Sequence, residues 1–338
     1  MSLAIKKEPS ALMIVTAFAI LYIVWGSTYL FIQMAIETIP PFIMGAMRFV
    51  AAGLIMMIWC WINGEKLFDK RIIKHASITG FFLLFMGTGA VIFAEKTLPS
   101  SLVAVLIASQ AIWLVLFDRR NWKQNFTNKN TIIGLVIGFI GVLLLFRESA
   151  AKATAGAGIT ATVIGFVVLL VGMFSWSGGS IYSKYTASGS PTVNSAWQMF
   201  AGGLAFLPAS LINREWGSFD WSAVSTNSWL SVLYLITMGS LAGFSAYVWL
   251  LRVRPVTQVS THVYVNPVVA VLLGVLFAGE KMTALQFVGL GIILTSVLLI
   301  NLSRYRAQKQ AAVITSPVNP ERKIQAVTAG KAETCVEC

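Results

Sequence analysis

The sequence predicts an all-α polytopic membrane protein with ten transmembrane helices, arranged as two inverted five-helix repeats. Three observations carry that prediction. Apolar stretches of spanning length fill residues 11 to 303, positive charges sort to one side of them, and the second half repeats landmarks of the first. Hydrophobic residues make up 57% of the chain and charged residues 11%, where a soluble domain carries about a quarter charged. The solvent for which this chain is built is lipid.

A hydrocarbon core of about 30 Å takes about 20 apolar residues as helix. The expected spans are 11–33, 41–62, 76–95, 98–117, 131–147, 160–182, 193–212, 228–250, 257–278 and 284–302. Helix is preferred to barrel strand because Ile132–Phe146 and Phe287–Leu302 are nearly continuous Ile, Leu, Val and Gly. A barrel strand would alternate in polarity over about 10 residues. Pro40-Pro41, Pro99, Pro191 and Pro255 mark span starts, since a proline disfavours helix at the residue before it. The first apolar run is too long for a signal-peptide core and no small-x-small cleavage site follows it, so it reads as a retained helix.

These spans divide the chain into a cytoplasmic N-terminus (1–10), a first five-helix repeat (11–147), a linker (148–159), a second five-helix repeat (160–303) and a disordered cytoplasmic tail (304–338). The linker is rich in Ala and Gly, and the tail is polar with Pro317 and Pro320, a composition that buries too little apolar surface to order itself.

The formal charge of +12 suggests a nucleic-acid partner only until it is mapped. With the N-terminus inside, 19 of the 25 Lys and Arg residues lie on the cytoplasmic side and five on the other, with Arg48 within a span. That is a strong positive-inside bias. Both termini are therefore expected in the cytoplasm, the bilayer is the partner, and no nucleic acid is.

The repeat rests on landmarks. At an offset of 151 residues Trp25 falls on Trp176, Pro40 on Pro191 and Phe49 on Phe200. At 155 or 156, Pro99 meets Pro255, Val103 meets Val259, Gln110 meets Asn266 and Gly134 meets Gly289. Five spans per copy make the second copy enter from the opposite side. Inverted repeats are the architecture of secondary transporters, which hold substrate near the midplane between the repeats.

Few residues in the spans carry polar chemistry. Tyr22, Trp25, Tyr29 and Gln33 share one helix face, read either as an aromatic cavity wall or as interfacial anchoring and packing. Trp176 and Ser180 share a face in the sixth span. Gly239 and Gly243, beside Tyr247, form a GxxxG spacing that reads as helix packing. In the ninth span Pro267 frees the carbonyl of residue 263 and Asn266 places an amide beside the break, which reads as a kink, a cavity wall or both. His262 titrates in the physiological range when unperturbed. It and Arg48 are the candidates for coupling or gating, each with a structural reading beside the functional one: packing for His262, snorkelling for Arg48.

Several signals are missing. No Asp or Glu occupies the middle of a span; Glu37, Glu95 and Glu280 lie at span ends, so a proton-driven pump built on a central carboxylate lacks its acid. No phosphate-binding glycine loop, zinc-ligand cluster or nucleophile with a partnered base is present. Cys60 reads as packing, and Cys335 and Cys338 form a CxxC that supplies half a zinc site at best. Neither a cofactor nor a metal is expected, and an enzyme is not.

The segments Trp25-Gly26-Ser27-Thr28-Tyr29, Arg48-Phe49 and Tyr264-Val265-Asn266-Pro267-Val268-Val269-Ala270, followed by Gly274 and Glu280, resemble the EamA-type members of the drug/metabolite transporter superfamily, in particular the YedA-like bacterial inner-membrane permeases. The resemblance covers residues 11–303. It implies a basket of ten helices around a central cavity lined by helices one, three, four, six, eight and nine, and export of amino acids or other small metabolites. Trp25, Tyr29, Trp176, Tyr264 and Asn266 are the cavity positions that it implies; Ser180 joins them through the face it shares with Trp176. His262 departs from the family pattern, where an aromatic is common, and so does Asp118-Arg119-Arg120.

The expected function is that of a secondary transporter in the cell inner membrane, exporting small metabolites such as amino acids by alternating access. A carrier for phosphorylated or nucleotide-linked sugars would need several cationic cavity residues, and only Arg48 offers itself. A non-transporting membrane scaffold is the remaining alternative.

Overall fold

The computed structural model describes residues 10–95, 103, 107, 110–154, 159–278 and 283–315. Among these residues the regular structure is helical. The main helices are α1 (Ala11–Ile36), α2 (Pro41–Ile62), α3 (Lys70–Ala94), α4 (Gln110–Phe117), α5 (Lys129–Thr154), α6 (Ile159–Thr186), α7 (Pro191–Ile212), α8 (Thr226–Val253), α9 (His262–Ala278) and α10 (Ala284–Thr315). Six of them, α1, α2, α3, α6, α7 and α8, contain stretches long and apolar enough to cross a bilayer; α5 and α10 carry shorter apolar stretches, Lys129–Leu144 and Phe287–Ile300. Their outward faces expose Ile23, Leu54, Trp59, Ile164 and Leu298, the surface expected of helices that meet lipid.

Local chemistry sets the helix starts. Ser10 Oγ accepts the Met13 N–H at 3.2 Å at the head of α1. Asp69 caps α3 through the Arg71 and Ile72 N–H groups, at 2.8 and 3.4 Å. Ser190 and Ser225 cap α7 and α8 in the same way. Proline fills the first position of α2 and α7, where its missing N–H costs nothing. Glu215, in a short turn after α7, accepts the Phe42 N–H at 3.3 Å and the Ile43 N–H at 3.0 Å. It thereby places a carboxylate at the positive end of the α2 dipole.

Several bounds differ from the sequence expectation. α3 starts at Lys70, six residues early, because the Asp69 cap begins a basic amphipathic turn before the apolar run. α9 starts at His262; residues 257–261, expected within its span, belong to a short separate helix, Val256–Val259, and the bend after it. There Thr261 Oγ1 donates to the Gln258 carbonyl at 2.6 Å and Ser260 Oγ to that of Thr257 at 3.1 Å. The backbone break thus precedes Pro267, which sits inside a helix that continues. α5 and α10 run past residues 147 and 303, to Thr154 and Thr315, through sequence rich in Ala, Arg, Lys and Gln, which favour helix. The start of the expected 98–117 span, most of the rest of the linker, Glu280-Lys281, and the tail beyond 315 with its CxxC lie outside the described residues.

Packing pairs the two halves reciprocally. α2 packs along α7, α1 against α8 and α9, and α6 against α3 and α4. At the α2–α7 crossing a Cβ on Gly53 would stand 2.5 Å from the backbone nitrogen of Phe200, and a Cβ on Gly203 2.6 Å from that of Val50. The two backbones touch because both residues lack a side chain. Two segments depart from α geometry, at corresponding places. Phe81–Thr88 within α3 and Leu235–Phe244 within α8 are π-helical, a geometry rare in proteins and frequent at functional sites.

Candidate functional site

A cavity with about 800 Å³ free of atoms, its mouth included, lies between the halves. Trp25 and Tyr29 of α1, Arg48 of α2, Trp176 of α6, and His262 and Asn266 of α9 all line it. α3, α4 and α8 add Thr88, Gln110 and Gly239. Both π-helical segments reach the wall, one through Leu84, Gly87 and Thr88, the other through Gly239 and Phe244.

One end of the cavity is a knot of rings. Trp25 and Trp176 meet edge to face with centroids 5.5 Å apart, and Trp25 lies 5.2 Å from His262 at 74°. Wholly buried Tyr247 stands behind them, 5.0 Å from Trp25, 5.7 Å from Trp176 and 5.4 Å from His262. Hydrogen bonds fix the rings. Trp25 Nε1 donates to the Gly239 carbonyl at 3.1 Å and Trp176 Nε1 to the Tyr247 hydroxyl at 3.1 Å. Ser180 Oγ shares a 2.6 Å bond with that hydroxyl and donates to the Trp176 carbonyl at 2.6 Å.

Polar atoms are sparse and individually placed. The His262 Nδ1 faces the Val259 carbonyl at 2.8 Å. A carbonyl only accepts, so Nδ1 carries the proton and a neutral ring keeps Nε2 as an acceptor. Oriented to satisfy its amide, Asn266 donates to the carbonyls of His262 at 2.9 Å and Tyr22 at 3.3 Å, which ties α9 to α1. Arg48 is buried; its Nε donates to Ser240 Oγ at 3.0 Å and its guanidinium carbon lies 4.7 Å from the Phe49 ring centroid. Gly239 makes room for it, since a Cβ there would stand 2.9 Å from Arg48 Nη2. Arg48 Nη1 is buried without a partner. No carboxylate belongs to the described wall.

The residues that the sequence singled out divide in the structure. Trp25, Tyr29, Trp176 and Asn266 share the wall with Arg48 and His262. Ser180 stands behind Trp176 as its anchor. Tyr264 points away, donating its hydroxyl to the Leu135 carbonyl at 2.9 Å and packing between α9 and the first half. Tyr22 bonds Thr261 Oγ1 at 2.6 Å beside the α9 break, and Gln33 is exposed. The sequence marks Tyr247 only as a neighbour of the glycine pair and gives it no role, whereas its hydroxyl organises the ring knot. The expected wall left out α2, which contributes Arg48 and Phe49. Asp118, which departs from the family pattern, is buried and accepts from Asn121 at 3.0 Å and from the Tyr185 hydroxyl, closing the far end of α4 onto α6. Glu95 is not in the described wall, and neither of its carboxylate oxygens has a hydrogen-bond partner among the described residues. His75 bonds Tyr182 at 2.5 Å. Among the described residues no group of His, Cys, Asp and Glu is arranged to hold a metal.

Known proteins resemble this chain in sequence and in fold. Residues 12–147 and 163–302 each match the EamA-like transporter family. The inner membrane transporter YedA of Escherichia coli K12 is 32% identical over 286 residues, covering 84% of this chain and 89% of that protein. A probable amino-acid metabolite efflux pump of the same organism is 25% identical over 300 residues, covering 86% of this chain and 95% of its own length. A solved crystal structure at 17% identity superposes with a TM-score of 0.71 over 88% of this chain and 99% of that one, which shows a common fold. A duplicated sequence match over most of the chain, on a helical fold with a cavity between its halves, places this chain in the EamA-like transporter family, as a multi-pass inner-membrane transporter and not an enzyme.

Proposed function

We propose that the chain is a secondary transporter that exports small metabolites such as amino acids across the cytoplasmic membrane by alternating access. In this reading ten spans form two inverted halves, both termini face the cytoplasm, and the cavity is the substrate site. The observation that carries it is the wall itself: two tryptophans from equivalent positions of the halves, a few fixed polar atoms and one cation surround a small-molecule space. Rings supply apolar area and stacking that tolerate varied side chains, while a few convergent polar groups orient a head group. Similarity to a probable amino-acid metabolite efflux pump supports the substrate class. The sugar-phosphate alternative is weaker, because Arg48 is the one Lys or Arg in the described wall and phosphate carries more charge than it can match. Proteoliposomes loaded with a panel of labelled amino acids test the reading. Efflux of at least one is expected, and Trp25→Ala slows it about tenfold, the equivalent of ~1.4 kcal/mol. Unchanged flux in that variant removes the cavity assignment.

A further inference from the structure

We propose that Arg48 is the receptor for a single carboxylate on the transported molecule. The inference rests on the transporter reading above and specifies which chemical group the site reads. Arg48 is 5% exposed and lines the cavity, yet it has no acidic partner among the described residues. Its Nε is spent on Ser240 Oγ, and Phe49 lies under the guanidinium. Nη1 is left buried and without an acceptor. A buried charge without a partner is costly, and in a cavity wall a ligand can supply that partner. Here the near end of the fork is pinned, and the far end, at the cavity wall, has no acceptor among the described residues.

The geometry favours a planar monoanion. The free end of a guanidinium matches the two oxygens of a carboxylate. The described wall offers one positive charge and no negative one, so one carboxylate balances it. Gly239 leaves room for the guanidinium at the π-helical segment of α8; a lysine would reach the same place as a point charge without the fork. Glu95, although buried and without a hydrogen bond, is not a partner of Arg48. Most of the remaining wall is aromatic or aliphatic, with Thr28, Thr88, Gln110, His262 and Asn266 as its polar members, suited to the side chain that accompanies the acid.

The test holds the ring constant and varies the head group. Full-length protein in lipid nanodiscs is titrated with L-phenylalanine, 3-phenylpropionate, L-phenylalaninamide and 2-phenylethylamine. The unaltered protein is expected to bind the two acids about tenfold more tightly than the amide and the amine, as a charge-assisted hydrogen-bond pair supplies. Arg48→Gln abolishes that preference, and Arg48→Lys keeps part of it. Equal affinity for acid and amide in the unaltered protein overturns the proposal, as does failure of both acids to bind; this comparison decides the matter even if Arg48→Gln does not fold. Trp25→Ala separates the two readings. If it weakens all four probes while acid and amide bind alike, the carboxylate assignment fails and the cavity stands. If it changes none of the affinities, the cavity reading fails as well.

Discussion

The two π-helical segments occupy corresponding places in the halves, yet they do different work. Phe81–Thr88 presents an apolar surface, and a Cβ on its Gly87 would stand 2.8 Å from Trp176 Cε3. Leu235–Phe244 presents polar backbone and space. Its Gly239 accepts the Trp25 indole N–H and clears the Arg48 guanidinium, and a Cβ on its Gly243 would stand 2.5 Å from Trp25 Nε1. The asymmetry continues past the segments: at an offset of 156 residues Thr88 corresponds to Phe244 and Val91 to Tyr247. The first half supplies an aliphatic residue where the second supplies the hydroxyl that anchors Trp176 and Ser180. Duplication provided the frame; within it one segment packs its glycine on Trp176, while the other fixes Trp25 and clears Arg48.

That contrast can be broken most severely at Gly243. Gly243→Val drives a branched side chain into the Trp25 indole, and we expect destabilisation of about 1–3 kcal/mol from overpacking with loss of measurable efflux. A variant with wild-type flux and melting temperature would show that the second segment does not hold Trp25. Next in size is Tyr247→Phe. It leaves the Trp176 N–H without its acceptor inside a sealed knot, at a cost of about 1–3 kcal/mol. Thermal denaturation in detergent should show the drop, and a Tm equal to that of the parent would demote the knot to incidental packing. The smallest effect is expected at Gly291 in α10, where an added Cβ meets nothing within 4 Å. Gly291→Ala should be neutral or stabilising by up to about 1 kcal/mol, and a large loss there would mean that glycines matter by count rather than by contact.

Much of this was legible in the residues. Proline at the heads of α2 and α7, the matched Trp25 and Trp176, and the polar run around Asn266 are local or periodic signals, and they point to the duplicated frame and to the two tryptophans, His262 and Asn266 of the wall. The π-helical segments left no such trace, because a stretch that is apolar all round has no periodicity whose change of phase would reveal altered winding. Tyr264 was assigned to the cavity with Asn266 from the same motif, but neighbours two apart on a helix face different ways, and Leu135 claims its hydroxyl. The Glu215 cap on α2 and the role of Tyr247 are contacts across 172 and 71 residues; nothing in either neighbourhood announces the distant partner.

The glycine crossing of α2 and α7 has a mechanical consequence. Where two backbones touch with no side chains between them there is little slack for sliding, so under the transport reading proposed above the pair would serve as a keel about which other helices swing. Arg48 rides on that keel, within about a turn and a half of Phe49, Val50 and Gly53. A cargo held by its charged end would therefore stay berthed at a stationary mooring while the walls on either side exchange which door is ajar.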